Sequence, residues 1–311
     1  LRDAFWGLTF DGLALGAIYA LISLGYTLVY GVLRLINFAH SEVFMIGTFS
    51  ALVASGIMGV KVEDDPRTGW GMVFTLLICL IAAMLASGIT AVLVEIIAYR
   101  RLRQRGATKL ATLISAIGVS ISLVELFRII TDSLPREFPR IMDKTFLFSY
   151  AGADIRNDKV IVIIAAGLMM FALERFISKS RYGKGIRAVS MDENTATLMG
   201  VNINKVITVT FLAGGMMAGA AAFFYILVYE NTSFKVGFFL GISAFTAAVL
   251  GGIGNLKGAL FGGFMLGVLE TWTSAVFGTA WKAVISFLIL VLVLLIKPTG
   301  LFGESIQQAR V

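Results

Sequence analysis

The sequence predicts an all-α integral membrane protein, a polytopic helical bundle of about eight or nine transmembrane segments with a short cytoplasmic helix. Hydrophobic residues make up 58% of the 311 residues and charged residues only 14%, whereas soluble domains carry about 25% charged residues. The mean hydropathy is +0.89. A bilayer-spanning helix needs about 20 apolar residues, and such runs recur along almost the whole chain. We therefore expect residues 1–311 to form a single transmembrane domain.

Nine apolar segments are candidate spans, and the seventh and eighth are separated only by residues 254–257. The region 238–277 could therefore hold two full spans or a broken, partly re-entrant pair. Irregular backbone at membrane depth is tolerated only where protein or a water-filled cavity covers it. The segments are roughly 8–31, 41–60, 71–97, 110–131, 159–178, 206–229, 238–253, 257–277 and 281–297.

Two basic connections set the predicted orientation, one at residues 99–109 and one at 179–187. Because Lys and Arg concentrate in cytoplasmic loops, we place both connections in the cytoplasm. Nine spans then put the N-terminus outside and the C-terminus in the cytoplasm, with residues 132–158 as an extracytoplasmic loop; eight spans would put both termini on one side. This topology accounts for the net charge of +7, so we predict no nucleic-acid partner.

The sequence contains no pattern for a cofactor, a metal or a catalytic centre. A phosphate-binding loop needs glycine directly before its lysine, but Lys257 follows Leu256. A single histidine, His40, and a single cysteine, Cys79, do not make a metal site. We therefore predict a protein that is not an enzyme, and any work driven by ATP belongs to a partner.

Glycines recur four residues apart between residues 251 and 267. Glycines at this spacing line one helix face and let two helix backbones approach closely. Packing within the fold is the favoured interpretation. The alternative is that residues 251–263 form a thin hinge or the lining of a pathway. On that alternative the candidate gating residues are Gly251, Gly252 and Gly254.

Polar residues at predicted membrane depth provide further candidates for a pathway. Ionisable side chains are costly in lipid and usually face the bundle interior or water. Glu95 lies near a predicted helix end, where it could reach the headgroups, and Glu125 and Arg128 are spaced to pair on one helix face. Structural hydrogen bonding is the alternative for the whole set. The candidates for a pathway or gate are Glu270, at predicted membrane depth, and the cluster of Asn37, His40 and Glu42, which lies between two predicted spans.

The cytoplasmic segment 179–205 mixes helix-forming residues with charge. Ser190 and Asp192 are suitable N-caps for a following helix, and Ala196 and Gly200, four residues apart, form a face of small residues. This short helix could be a solvated amphipathic loop helix, or it could dock into a cleft on another protein. Composition leaves both possibilities open.

Seven blocks, in order along residues 7–304, resemble the permeases of branched-chain amino-acid ABC transporters, most closely the first of the two permeases that such systems encode. The first three blocks are 20–31 (Ala-Leu-Ile-Ser-Leu-Gly-Tyr-Thr-Leu-Val-Tyr-Gly), 36–40 (Ile-Asn-Phe-Ala-His) and 45–47 (Met-Ile-Gly). The four later blocks are 115–118, 244–254, 258–263 and 298–303.

The resemblance implies a non-catalytic transport subunit in a bacterial-type cytoplasmic (inner) membrane. Its implied partners are a second homologous permease, two cytoplasmic ABC ATPases, the lipid bilayer and an extracytoplasmic substrate-binding protein that delivers leucine, isoleucine or valine. The segment around residues 192–202 looks like the loop that couples a permease to its ATPase. The implied ATPase-coupling residues are Asp192, Glu193, Asn194, Ala196, Gly200 and Asn202.

This segment departs from the general importer pattern Glu-Ala-Ala-x3-Gly. Measured back from Gly200, the glutamate position holds Asn194, and the acid is displaced to Glu193. Similar permeases handle urea, short amides or other amino acids, so the exact substrate stays open. A stand-alone secondary transporter or a membrane enzyme is the alternative from another class.

Overall fold

The computed structural model describes residues 5–150 and 153–303. Its helices and strands follow in chain order. They are α1 (Phe5–Leu33), α2 (His40–Ile57), α3 (Gly69–Val94), a π-helical turn (Glu95–Arg100), α4 (Arg101–Gln104), α5 (Lys109–Ile130), β1 (Arg136–Glu137), β2 (Phe146–Tyr150), β3 (Ala153–Arg156), α6 (Asn157–Lys179), α7 (Arg181–Met191), α8 (Glu193–Leu198), α9 (Ile203–Tyr229), β4 (Asn231–Thr232), α10 (Val236–Gly251), α11 (Leu256–Phe277), a 3₁₀ turn (Thr279–Trp281) and α12 (Lys282–Ile296).

The predicted polytopic helical fold is confirmed. Among the described residues, eight helices are long and apolar enough to cross a membrane, with Gly69–Gln104 and Thr279–Ile296 each forming one continuous span. The ninth predicted segment is α10, which has 16 residues. At 1.5 Å per residue it covers about 24 Å, less than the hydrocarbon core of about 30 Å.

The chain enters α10 from inside the bundle. The Thr232 side chain is buried, and its hydroxyl lies 2.6 Å from that of Thr48, halfway along α2. Gly237, in the first turn of α10, packs against the carbonyl of Ser41 at the start of α2. Irregular backbone therefore lies on both sides of α10, at residues 230–235 before it and at residues 252–255 between α10 and α11. Two full spans in this region was the wrong alternative.

The two basic connections lie at the same end of the bundle. Arg103 donates to the amide oxygen of Asn204 at 2.7 Å, which joins the first connection to the start of α9. Arg34, at the end of α1, donates to the carbonyl of Ser190 in α7 at 3.2 Å. At the opposite end, β1 pairs antiparallel with β4, and β2 with β3. This grouping agrees with the predicted topology, whereas the orientation in a membrane stays a prediction.

Helix α1 lies at the centre of the bundle, and the spaced glycines of α11 allow the backbones of these two helices to approach closely. Gly263 packs against Ala20, and Gly267 against Gly16, so one face of α11 lies on α1. Gly262 packs against the carbonyl of Ala247, so a second face lies on α10. The predicted packing role of the glycines in α11 is confirmed. Helix α5, by contrast, packs little against the rest of the bundle, because only 11% of its most apolar 18-residue stretch is buried.

Candidate functional site

A cavity of about 1260 Å³ lies where α1, α2, α5 and α10 meet. Its wall is mainly aromatic and aliphatic, because the chain before α2 and the first turns of α10 supply phenylalanines and α5 supplies isoleucines. A large apolar pocket with a few convergent polar groups is the usual form of a small-molecule site. Representative wall residues are Phe38, Ile117, Ile121, Phe234, Phe238 and Phe245.

Glu42 is the polar side chain of the cavity wall that the sequence singled out. It lies in the first turn of α2, is 0% exposed, and accepts hydrogen bonds from the hydroxyls of Ser41 at 3.1 Å and Ser120 at 3.2 Å. Both bonds reach Oε1. Within the described chain, Oε2 has no hydrogen-bond partner. A buried carboxylate with one free oxygen is costly unless another group completes it.

Asn37 and His40 lie beside the cavity without forming its wall. The side-chain oxygen of Asn37 accepts from the hydroxyl of Tyr99 at 3.0 Å and fixes the turn that precedes α2. The ring of His40 packs edge-on against Tyr26, with ring centroids 4.7 Å apart. A Cβ atom at Gly25 would lie 2.6 Å from Cε1 of this ring. The geometry gives both residues a structural place at the start of α2, and their role in a pathway stays a prediction.

Glu270 is buried at a different place in the bundle. It accepts from the hydroxyl of Tyr19 at 3.1 Å and from that of Ser286 at 3.1 Å. Ser286 in turn lies 3.1 Å from Ser243. These contacts tie α1, α10, α11 and α12 together, and Glu270 is not part of the cavity wall.

The three candidate gating glycines lie at the turn between α10 and α11, which the chain following α12 covers. The carbonyl of Gly251 accepts from the amide of Phe302 at 3.0 Å. Gly252 has a φ of 105°, and a Cβ there would lie 2.5 Å from the amide nitrogen of Gly303. Gly254 has open space around it. These positions do not line the cavity, and their role as a gate stays a prediction.

The segment 179–205 forms two helices, α7 and α8, where the sequence predicted one. Asp192 caps α8 by accepting from the amide of Asn194 at 2.9 Å and the hydroxyl of Thr195 at 2.5 Å, so this predicted cap is confirmed. Ser190 instead donates to the carbonyl of Arg187 at 2.8 Å and caps nothing. The hydrogen bonds from Thr195 and Asn194 lower the pKa of Asp192 below its ordinary value.

The other coupling candidates divide between buried and exposed positions. Ala196 is 3% exposed and packs inward. Asn202 caps α9 by accepting from the amide of Lys205 at 3.0 Å. Gly200, with a φ of 81°, lies in the turn between α8 and α9. Glu193 and Asn194 are exposed. The face of α8 that a partner could reach therefore excludes Ala196.

Replacing Asp192 with alanine should loosen α8, because the amide of Asn194 then loses its acceptor. We expect faster hydrogen exchange at the amides of Asn194 and Thr195, while Asp192→Asn, which can still cap, exchanges more slowly than the alanine variant. A carboxyl with a lowered pKa stabilises the fold above its unfolded pKa and loses that contribution as pH falls through its folded pKa. Protection in the wild-type protein should decline in that acidic window. Equal exchange in the wild-type and alanine proteins would contradict the cap.

A buried ionic cluster beside the basic connection at residues 99–109 was not predicted from the sequence. Glu95 is 0% exposed and accepts from Arg100 at 2.5 Å, while Arg103 lies 3.5 Å away. Thr208 of α9 accepts from Arg100 at 2.7 Å. The expectation that Glu95 reaches the headgroups is therefore wrong. An α-helix pairs residues three or four apart, and only the π-helical turn brings two residues five apart together.

The pairing of Glu125 with Arg128, by contrast, is confirmed at 2.7 Å. Among the described residues, no group of three or more His, Cys, Asp or Glu side chains could hold a metal ion. The described residues thus form a cavity and a buried ionic cluster. The hydrogen bond from Tyr99, in the π-helical turn of the cluster, to Asn37, beside the cavity, connects the two.

Comparisons with known proteins place these features in a family. Residues 8–294 match the family model described as branched-chain amino acid transport system, permease component. The high-affinity branched-chain amino acid transport system permease protein BraD of Pseudomonas aeruginosa is 39% identical over 94% of this chain and 94% of that protein. LivH of Escherichia coli, of the same description, is 39% identical over 95% and 94%. A probable branched-chain amino acid transport permease of Methanocaldococcus jannaschii is 25% identical over 91% and 88%.

Proposed function

Because this chain belongs to the family of branched-chain amino acid transport permeases, we propose that it is the membrane-spanning subunit of an ATP-binding-cassette importer for leucine, isoleucine and valine. The cavity between α2, α5 and α10 is the observation that carries this proposal. Its apolar wall suits a branched side chain, and Glu42 supplies a buried carboxyl group at the same place.

In this proposal the chain is a non-catalytic half of the pore. A second homologous permease completes the cavity, and the low burial of α5, which forms part of the wall, supports an interface there. Two ATPases bind at the end that carries α7 and α8, in the cytoplasm. A binding protein delivers the amino acid at the opposite, extracytoplasmic end, where residues 58–68 and 131–157 connect the helices.

Coupling to the ATPases occurs through the segment 192–202. Helix α8 presents Leu198 and Met199, which are 87% and 80% exposed, and such exposed apolar side chains fit a cleft on another protein. Movement of α8 reaches α9 directly through the turn at Gly200. From α9 it reaches the ionic cluster and then the turn before α2, because Tyr99 holds Asn37 at 3.0 Å.

A cysteine at Leu198 should crosslink to the co-expressed ATPase. The matched control is Ile57→Cys, which is similarly exposed at 81% but lies at the opposite end of the bundle; the buried Cys79 is replaced with alanine in both. We expect a crosslink from position 198 that is at least about fivefold stronger than from position 57. An active complex in which neither position, or only position 57, reaches the ATPase would contradict the coupling assignment.

Uptake by the reconstituted complex tests the proposal as a whole. Vesicles containing this chain, the second permease and the ATPases should accumulate leucine only with ATP inside and the binding protein outside. Transport by this chain alone would establish the secondary-transporter alternative. Transport of urea or an amide, but not of leucine, would keep the importer and replace the substrate.

A further inference from the structure

One carboxyl oxygen of Glu42 is buried without a hydrogen-bond partner among the described residues. Oε1 is held by the hydroxyls of Ser41 and Ser120, whereas Oε2 has no hydrogen-bond partner among the described residues. No described Lys or Arg forms an ion pair with this carboxylate. Buried charges are normally paired, and a cationic group from outside the chain would complete this one.

The first turn of α10 covers the free oxygen. A Cβ atom at Gly237 would lie 2.9 Å from Oε2, and this close cover explains why Glu42 is in the cavity wall yet 0% exposed. The turn follows the segment 230–235, which is held by the pairing of β4 with β1 and by the contact of Thr232 with Thr48 rather than by a helix. A shift of this turn away from α2 would open Oε2 to the cavity.

The remaining charges of the cavity wall complement an amino acid. Arg128 is already paired with Glu125 at 2.7 Å. The ammonium of Lys235 lies 5.3 Å from the centre of the Phe234 ring and, within residues 5–150 and 153–303, has no acidic partner in an ion pair. The mainly apolar wall thus carries a buried carboxyl group, Glu42, and an exposed ammonium, Lys235, neither of which has an ion-pair partner among the described residues, and this combination suits a zwitterion with an apolar side chain.

We propose that Glu42 binds the α-ammonium group of the amino acid during its passage through the cavity. Ser41 and Ser120 hold one carboxylate oxygen in place, and the ammonium, which has three N–H donors, donates to the other in a charge-assisted hydrogen bond. The first turn of α10 closes this contact and opens it. The inference rests on the proposed function. It adds the residue through which the cavity selects solutes that carry a charged amino group.

Leucine uptake by Glu42→Gln, Glu42→Asp and Glu174→Gln complexes tests this role. Glutamine keeps the size and can still accept from both serines, so a merely structural role survives the change. We expect the maximal rate to fall at least about tenfold in Glu42→Gln, with the dependence on binding-protein concentration unchanged, and to recover partly in Glu42→Asp, which keeps the charge. Glu174→Gln, at an exposed ion pair with Lys257 that lies outside the cavity wall, should stay within about twofold of wild type.

Rates are divided by the amount of assembled complex, which a pull-down of the ATPases measures. Wild-type rates in Glu42→Gln, or equal losses in the glutamine and aspartate variants, would overturn the assignment. A wild-type complex that imports another solute instead of leucine would overturn the proposed substrate. The uptake of that solute by the variants is then measured in place of leucine uptake. A reduced rate for Glu42→Gln with an ammonium-bearing solute supports the inference, and a wild-type complex that imports only urea overturns it.

Discussion

Replacing Gly263 with valine is expected to separate α1 from α11 and to abolish accumulation of the folded protein in the membrane. A Cβ atom at this position would lie 2.5 Å from both Cα and the amide nitrogen of Ala20. These are backbone atoms of the most buried helix, so no side chain can move aside. Overpacking typically costs about 1–3 kcal/mol, and a backbone obstacle places this variant at about 3 kcal/mol or more.

The matched control is Gly167→Val, in α6, because a Cβ atom there would meet nothing within 4 Å. Both substitutions remove a glycine from a helix and add the same side chain. We expect Gly167→Val to accumulate and unfold like wild type, and Gly263→Val to be degraded or to unfold in detergent at a much lower temperature. Equal thermal unfolding of the two variants would show that the close approach of α1 and α11 is not required.

The parts of the fold that sequence predicts well are those that the bilayer itself demands. An apolar run of about 20 residues has few alternatives to a helix in lipid, so the spans from α1 to α9 and the cap at Asp192 follow from local composition. The close backbone approach at Gly263 and Gly267 follows from their spacing, whereas the identity of the partner helix, α1, does not. In each case the signal lies within one helix turn or one helix length.

The remaining features depend on which distant residues meet. Thr232 is buried because it finds Thr48 in α2, and nothing near position 232 indicates that the chain turns inward there. Glu42 reaches a cavity wall because α5 brings Ser120 beside it. The candidate list contained Glu42 but equally contained Gly254 and Glu270, which the fold places elsewhere. Polarity and depth selected the right residue types, and only tertiary contacts separated the wall of the cavity from structural positions.

The π-helical turn is the clearest failure of local pattern. Glu95 and Arg100 are five residues apart, a spacing that points their side chains to different faces of an α-helix. The widened turn brings them to 2.5 Å, and it also turns Tyr99 toward Asn37. Single π-helical turns inside helices frequently occur at functional sites. Here the turn contacts α9 through Thr208 and the chain before α2 through Asn37, which places it on the proposed route from the segment 192–202 to α2.

Replacing Glu95 with glutamine is therefore expected to uncouple ATP hydrolysis from leucine uptake. The carboxylate is fully buried, and its removal leaves Arg100 and Arg103 without their shared partner. Breaking a buried ion pair costs about 3–5 kcal/mol; the two arginine side chains are 26% and 23% exposed, so water compensates part of this loss and we expect about 2 kcal/mol. Leucine uptake should fall at least about tenfold while the ATPases still bind and hydrolyse ATP.

The control is Glu174→Gln, which removes a carboxylate from an exposed ion pair with Lys257 at 3.2 Å. Exposed pairs contribute about 0–1 kcal/mol, so uptake and unfolding temperature should match wild type. The decisive measurement is the number of leucine molecules imported per ATP hydrolysed by purified complexes of equal composition. A lower ratio in Glu95→Gln alone places the cluster in the transmission of motion from α9 to α2. An unchanged ratio, with uptake and hydrolysis reduced together or not at all, would leave the cluster with a purely structural role.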